Sequence, residues 1–213
     1  VKASTRDLAI ICAEGKSAAT TVAATSHIAR LADIDVFATG GLGGVHRGHL
    51  YDESADLIEL AKTKVIIVCA GVKSILDVAG TLERLETLAI PVLGFATNNF
   101  PGFYLTDSGF KIEHRVESAD EIAKIWNMRH GLNTDDTAII IANPVANQMD
   151  KAFHDEILEA GLSAATKLKI SGKGVTPFLL EHFHTTSNGE SLRVNIEIIK
   201  ANSKLAAQIA CAL

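Results

Sequence analysis

The chain has 213 residues, a formal net charge of −5 and 47% hydrophobic residues. This length and apolar content suit one α/β domain with a buried core, and they exclude disordered, collagen-like and disulfide-rich proteins. The acidic balance argues against a nucleic-acid partner, and no apolar stretch approaches the ~20 residues of a membrane span.

Helical and strand-like patterns alternate along the first 145 residues. We predict helical segments over 7–34, 54–63, 74–89 and 118–132, and strands over Ile34–Gly41, 64–74, 90–101 and 137–145. Ser118 is the predicted cap of the fourth helix, with Glu121 as its capping-box partner. The chain from Asp150 onward is mainly helical. This pattern predicts an open α/β sheet covered by helices on both faces, in one domain over residues 1–213.

Three cysteines show no metal-type pairing. Cys12, Cys69 and Cys211 each stand among apolar residues, so we expect three buried free thiols. That state suits a reducing compartment and therefore a cytoplasmic location, with an organelle as the alternative if a leader precedes Val1.

Two phosphate-loop patterns fail on the residues present. Gly15-Lys16-Ser17 has the end of a Walker loop, but Ile10 occupies the required first glycine position. The glycine loop, Gly40–Gly48, follows a strand, yet a dinucleotide fingerprint starting at Gly41 would need glycine or alanine where His46 stands.

The glycine loop is nevertheless the densest functional signal in the chain. Backbone N–H groups in such a loop can approach an anion, and His46 and Arg47 add positive donors. Thr39 stands at the end of the strand, where hydroxyls reach ligands in such sheets. The residues favour a phosphate or sugar-phosphate site here, and the alternative is that the glycines only permit tight turns.

Lys73 directly follows a buried β-branched strand. A lysine at the carboxyl edge of a sheet, with apolar neighbours, is partly desolvated, which lowers its pKa and frees the amine to attack a carbonyl. The alternative is a lysine that ends the strand and extends its ammonium group into water.

Three carboxylates lie within five residues at Asp52, Glu53 and Asp56. The simplest interpretation is a helix cap, because carboxylates are favoured in a first turn. The functional interpretation is one metal ligand together with hydrogen bonds to substrate hydroxyls. The spacing of His46, His49 and Asp52 also leaves a three-ligand metal site open.

Several motifs in order resemble the pseudouridine-5′-phosphate glycosidase family, also called indigoidine synthase A-like. They are KASTRDL, TTVAAT, ATGGLGGVHRG, DESADL, VCAGVKSILD, GKGVTPFLL and NIEIIKAN, and they extend over essentially the whole chain. The resemblance implies a three-layer α/β/α fold with a mixed, largely parallel central sheet, and a homotrimer. It also implies reversible cleavage of the C–C glycosidic bond of pseudouridine 5′-phosphate to uracil and ribose 5-phosphate.

The resemblance also assigns roles to individual residues. Lys73 resembles the lysine that forms a Schiff base with ring-opened ribose, and Asp52 the ligand of a divalent metal, typically Mn²⁺, otherwise held through water. The remaining expected substrate contacts are Lys2, Val22, Thr39, Ser54, Asp56 and Asn195.

The sequence departs from the family pattern near Asp52 and at its start. The spacer before Asp52 is short, and Glu53 replaces a usually apolar residue. The family's general-acid glutamate belongs to a segment before Lys2, so we expect that the chain lacks this segment and that the 213-residue polypeptide alone has strongly impaired glycosidase activity. Normal turnover would require another acid, for which Glu53 is the candidate.

Three other functions stay open. They are another lysine-dependent sugar-phosphate lyase or aldolase, a non-catalytic phosphosugar-binding protein, and fusion of this domain to a carbohydrate kinase.

Overall fold

The computed structural model describes residues 1–47, 52–170 and 174–213. Seven strands lie in two sheets: β1 (Lys2–Ala3), β2 (Ala19–Thr20), β3 (Val36–Ala38), β4 (Ile66–Cys69), β5 (Val92–Phe95), β6 (His114–Val116) and β7 (Ile139–Ala142). Eight helices complete the described part: α1 (Thr5–Ala13), α2 (Val22–Leu31), α3 (Ala55–Leu60), α4 (Val78–Thr87), α5 (Ala119–Gly131), α6 (Lys151–Lys167), α7 (Val175–Thr186) and α8 (Glu190–Ala212).

The main sheet has five strands in the order β3-β4-β7-β5-β6, and every described pairing in it is parallel. The α/β class predicted from the sequence is therefore confirmed. The resemblance implied a mixed, largely parallel sheet, and the described pairings of the main sheet are all parallel. β1 and β2 form a separate parallel pair.

Alternate residues of the central strands face the two helix layers that cover the sheet. Ile66 and Val68 face α5 and α8, where they pack with Trp126 and Ile209. The intervening residues, such as Ile67, face the opposite layer of α3 and α4. Strands that are buried on both faces have no polar positions, which is why β4 and β7 are continuous apolar runs.

A third apolar cluster packs α6 and α7 beyond the sheet. Tyr104 stacks on Phe183 of α7 with ring centroids 5.4 Å apart, and Leu179 and Ile157 lie in the same cluster. α7 is thereby held next to the ends of the strands.

The structure corrects two helix predictions. The predicted helical stretch over 7–34 is broken into α1 and α2, because Gly15 adopts a left-handed φ of +62° and Thr21 caps a new helix by accepting the N–H of Ala24. The helix after Lys73 begins at Val78 rather than at Ser74, with Asp77 as its cap.

The structure confirms Ser118 as the cap of the fourth helix but does not form the predicted capping box with Glu121. The Ser118 hydroxyl accepts the N–H of Glu121 at 3.2 Å, while the Glu121 carboxylate accepts the N–H of Glu117, one residue before the cap.

The cysteine prediction is wrong for two residues of three. All three thiols are free, but Cys12 and Cys211 are exposed and Cys69 alone is buried. Burial raises the pKa of the Cys69 thiol to about 12. No helix among the described residues combines the length and the apolar content that crossing a bilayer requires.

Candidate active site

A cavity of about 780 Å³ opens at the carboxyl edge of the main sheet. At this edge the segments after β3 and β4 continue side by side: the Leu42 N–H donates to the Gly71 carbonyl and the Lys73 N–H to the Leu42 carbonyl. All eight residues predicted as site residues line it: Lys2, Val22, Thr39, Asp52, Ser54, Asp56, Lys73 and Asn195. Their individual roles remain predictions.

Lys73 occupies the expected position at the end of β4, and it is half-buried. Burial lowers the pKa of its amine, the nearby Asp56 carboxylate opposes this effect, and the charge of Lys2 adds to it. The net direction confirms the expected desolvation. A lysine with a lowered pKa has a larger neutral fraction at neutral pH, which is the form that attacks a carbonyl.

Asp56 lies in the first turn of α3 and is almost fully buried. Its Oδ1 accepts the N–H of Ala23 at 2.9 Å, and its Oδ2 accepts the N–H of Gly43 at 2.8 Å. The carboxylate thus joins the start of α2 to the glycine loop, in addition to facing Lys73. Ser54 caps α3 by accepting the Asp56 N–H at 3.2 Å.

The described part of the glycine loop, residues 40–47, is closely packed within the protein. Four backbone N–H groups of the loop donate to acceptors elsewhere in the protein. The donors are Leu42, Gly43, Val45 and His46. A Cβ on Gly43 would lie 2.2 Å from the Ser54 hydroxyl, and one on Gly44 would lie 2.3 Å from that of Thr81. The structure therefore favours close packing over a phosphate cradle as the reason for these glycines.

Cationic and hydroxyl groups line another part of the cavity. Lys2 and Arg6 lie there with four hydroxyl residues, Ser4, Thr20, Thr21 and Thr25. β1 and β2 bring these side chains together, because their pairing places Lys2 beside Ala19.

Asp52 and His46 both line the cavity, and the His46 N–H donates to the Asp52 carbonyl at 2.9 Å. The Asp52 carboxylate makes no hydrogen bond to any part of the chain that the structure describes. His49, the third member of the suggested metal triad, lies outside the described residues. Residues 1–47, 52–170 and 174–213 contain no cluster of three His, Cys, Asp or Glu residues fit to hold a metal ion.

Glu53 is already engaged by another side chain. Its two carboxylate oxygens accept hydrogen bonds from Arg84, at 2.8 Å from Nε and 3.0 Å from Nη2. Because Arg84 engages both of its carboxylate oxygens, Glu53 is a poor substitute for a general acid.

Sequence reasoning missed several cavity residues, among them Arg6 and Phe103. Arg6 lies in the KASTRDL motif, and its positive charge could have marked it as a candidate site residue. Phe103 has a left-handed φ of +64°, and its ring lies over Gly41, where a Cβ would come within 2.6 Å of it. No local pattern marks Phe103, because the contact joins residues 62 positions apart in the chain.

A half-buried lysine beside a buried carboxylate, in a cavity at the carboxyl edge of a parallel sheet, is typical of α/β enzymes that use a lysine amine. The comparison with family models narrows this class, since the model described as indigoidine synthase A-like protein matches residues 1–212. The chain belongs to this family.

Several curated relatives are named pseudouridine-5′-phosphate glycosidase. A pseudouridine-5′-phosphate glycosidase of Salinispora tropica is 52% identical over 99% of this chain and 66% of its own length. A second protein of that name, from Caldanaerobacter subterraneus, is 48% identical over 100% of this chain and 70% of its own length. The chain therefore spans about two-thirds of the length of these relatives.

Solved structures share the fold. An indigoidine synthase A-like protein from Thermotoga maritima has a TM-score of 0.91 and 40% identity, over 99% of this chain and 70% of that one. The prealnumycin C-glycosynthase AlnA, solved with ribulose 5-phosphate, has a TM-score of 0.92 and 30% identity, over 100% of this chain and 71% of that one.

The electrostatics of Lys73 give a first testable prediction. Competitive acetylation over a range of pH, read by peptide mass spectrometry, should give Lys73 a lower pKa in the native chain than in the same chain unfolded in denaturant. Lys2→Met should raise this pKa, because it removes a nearby positive charge, whereas Asp56→Asn should lower it further. A native pKa equal to that of the unfolded chain would contradict the account.

Proposed function

We propose that this chain carries the site of a pseudouridine-5′-phosphate glycosidase, which reversibly cleaves the C–C glycosidic bond to give uracil and ribose 5-phosphate. The observation that carries the proposal is the half-buried Lys73 amine, with its lowered pKa, in a cavity lined by the predicted substrate contacts. The names of the relatives support the same substrate, and the C-glycosynthase supports the joining of carbon to a sugar phosphate.

The chemistry requires an electron acceptor beside the C–C bond, because uracil leaves through carbon rather than through a heteroatom. In the synthetic direction, the Lys73 amine adds to C1 of open-chain ribose 5-phosphate and water leaves, which forms an iminium ion. The electron pair at C5 of uracil then forms the C–C bond to that carbon, and the C5 proton is lost. The sugar O4 hydroxyl next displaces the protonated Lys73 amine from C1, which closes the ribose ring and frees the enzyme. In the cleavage direction, the Lys73 amine displaces the ring oxygen from C1, C5 is protonated, the C–C bonding pair returns to uracil as the iminium forms, and water releases the sugar from Lys73.

The neighbouring residues suit this chemistry. Lys2 and Arg6 provide the positive charge for the 5′-phosphate, a role that the internally bonded glycine loop is poorly placed to fill. Asp56 lies near Lys73, and Ser54 caps the helix on which Asp56 stands, so both are candidates to meet the sugar hydroxyls. Val22, Thr39 and Asn195, which also line the cavity, complete the proposed contacts.

A hydrated divalent metal fits the donor set at Asp52. One carboxylate with no internal partner among the described residues is a suitable ligand for a hard cation that keeps most of its water, as Mn²⁺ or Mg²⁺ does. The metal, through its water, would supply polarisation of substrate oxygens. We propose Mn²⁺ on the family resemblance, with Asp52 as its protein ligand.

Manganese binding tests the role of Asp52 without any assay of turnover. Electron paramagnetic resonance of free Mn²⁺ should show that Asp52→Asn weakens binding by at least about tenfold. Glu14→Gln is a suitable control, since Glu14 is an exposed carboxylate paired with Lys16 and lies outside the cavity lining. Equal binding by the wild-type chain and the Asp52→Asn chain would exclude Asp52 as the ligand.

Borohydride trapping tests the proposed function. Ribose 5-phosphate with sodium borohydride should leave a reduced sugar phosphate on the Lys73 peptide, and Lys73→Arg should abolish this adduct, because a guanidinium does not form the imine. Ribose without phosphate should label far less, since it loses the contacts to Lys2 and Arg6.

Two other results point to the alternative functions. Preferential trapping of shorter aldehydes, such as glyceraldehyde 3-phosphate, would favour another lysine-dependent lyase or aldolase. Binding of ribose 5-phosphate without any adduct would favour a non-catalytic phosphosugar-binding protein. An adduct that survives in Lys73→Arg would remove Lys73 from the mechanism.

We also propose that the protein assembles as a homotrimer, as the resemblance implies. The supporting observation is that none of the residues of α1, all of which the structure describes, is buried. Ile10 on α1 and Leu31 at the end of α2 are large exposed apolar residues, of the kind that interfaces cover.

Light scattering should return three times the chain mass of 22.6 kDa. Ile10→Glu should lower the assembled fraction if α1 lies in the interface. A monomeric mass at micromolar concentration would contradict the trimer.

A further inference from the structure

Glu53 lies between the proposed metal ligand and the proposed sugar contact, and its carboxylate is held by α4. The two hydrogen bonds from Arg84, at 2.8 Å and 3.0 Å, form a fork between planar groups. Such a pair fixes orientation as well as distance, because the guanidinium N–H groups match the two carboxylate oxygens. Both side chains are about one-third exposed or less, so water competes with the pair only in part. The mechanism above uses neither of them.

The backbone provides a second connection between the same elements. Val45 forms an antiparallel bridge with Glu53 on one side and with Asp77 on the other. The Val45 N–H also donates to the Thr81 hydroxyl of α4 at 2.9 Å. Three short segments are thereby paired in a row, with the start of α4 at one edge and the Asp52–Ser54 segment at the other.

α4 is also closely connected to Lys73. The Leu76 N–H donates to the Lys73 carbonyl at 2.9 Å, which forms a tight turn directly before the Asp77 cap. Residues 73–84 therefore form one continuous unit. The Lys73 amine lies at one end of it, and Arg84 at the other end binds the Glu53 carboxylate.

We propose that the Glu53–Arg84 pair positions the opposite wall of the cavity relative to Lys73. Through it, α4 holds the Ser54 hydroxyl and the Asp52 carboxylate at a fixed place facing the amine. Glu53 lines the cavity, but both its carboxylate oxygens are engaged by Arg84, so Glu53 and Arg84 are positioning residues that act through Ser54 and Asp52. The inference rests on the proposed function, because it takes ribose 5-phosphate as the ligand that Ser54 meets.

A double-mutant cycle tests the proposal. The chains are wild type, Glu53→Gln, Arg84→Gln and the double variant, with Glu190→Gln as the matched control. Glu190 forms a similar forked pair with Arg193 on α8, at 2.8 Å and 2.6 Å, and lies outside the cavity lining. For each chain, metal-free borohydride trapping gives the ribose 5-phosphate concentration at half-maximal labelling of Lys73 and the labelling at saturation. The melting temperature is measured in parallel.

We expect each single variant to raise the half-saturating concentration about fivefold, which corresponds to about 1 kcal/mol at 1.4 kcal/mol per factor of ten. Labelling at saturation should stay unchanged, because Lys73 itself is intact. The double variant should be no worse than either single variant, since both substitutions remove the same pair. Glu190→Gln should leave the half-saturating concentration unchanged.

The failures of the two proposals are distinguishable. Absence of labelling in the wild-type chain would overturn the proposed function, and this inference with it. Normal labelling with equal half-saturating concentrations in all chains would overturn the inference and leave the function standing. A lower melting temperature without any change in the half-saturating concentration would show that the pair is merely structural. If the effects of the two single variants on the half-saturating concentration add up in the double variant, the two residues act separately.

Discussion

The arrangement of the cavity depends on one buried carboxylate, that of Asp56. A carboxylate out of contact with water is stable only when its oxygens receive hydrogen bonds or face a positive charge. Asp56 has both, from the N–H groups of Ala23 and Gly43 and from the nearby Lys73 amine. Because these partners belong to α2, the glycine loop and the end of β4, the position of one side chain couples three separate segments of the chain.

Lys73 experiences two opposing effects, and their balance decides its chemistry. Asp56 stabilises the ammonium form, whereas burial destabilises it, and burial is the larger effect. The positive charge of Lys2 acts in the same direction as burial. Lys73 therefore has a larger neutral fraction than a lysine in water. It also has a carboxylate nearby that can stabilise positive charge on its nitrogen during the reaction.

Much of this site follows from the sequence, because its residues stand at the ends of recognisable strands. The apolar runs of β3 and β4 predict two neighbouring strands; Thr39 directly follows β3, and Lys73 follows the apolar run that continues from β4 through Val72. The resemblance supplied Lys2, Val22 and Asn195, which no local pattern marks as site residues, and the cavity contains all of them.

What the sequence could not predict depends on partners distant along the chain. β1 and β2 have two residues each, and they form only because they pair with one another. β6 is an edge strand with two exposed residues of three, so it lacks the apolar run that marks β4 and β7. The glycines of the loop suggested an anion cradle, but their close neighbours are Ser54, Thr81 and Phe103, each more than ten positions along the chain from the glycine it contacts.

The central claim is that Lys73 supports the making and breaking of a carbon–carbon bond to ribose 5-phosphate. The most direct measurement is the incubation of this chain with uracil, ribose 5-phosphate and Mn²⁺, with chromatography and mass spectrometry to detect pseudouridine 5′-phosphate. We expect the product to accumulate slowly, over a prolonged incubation, with the wild-type chain and to be absent with Lys73→Arg. Equal yields from the two chains, or no product from the wild-type chain after prolonged incubation, would contradict the central claim.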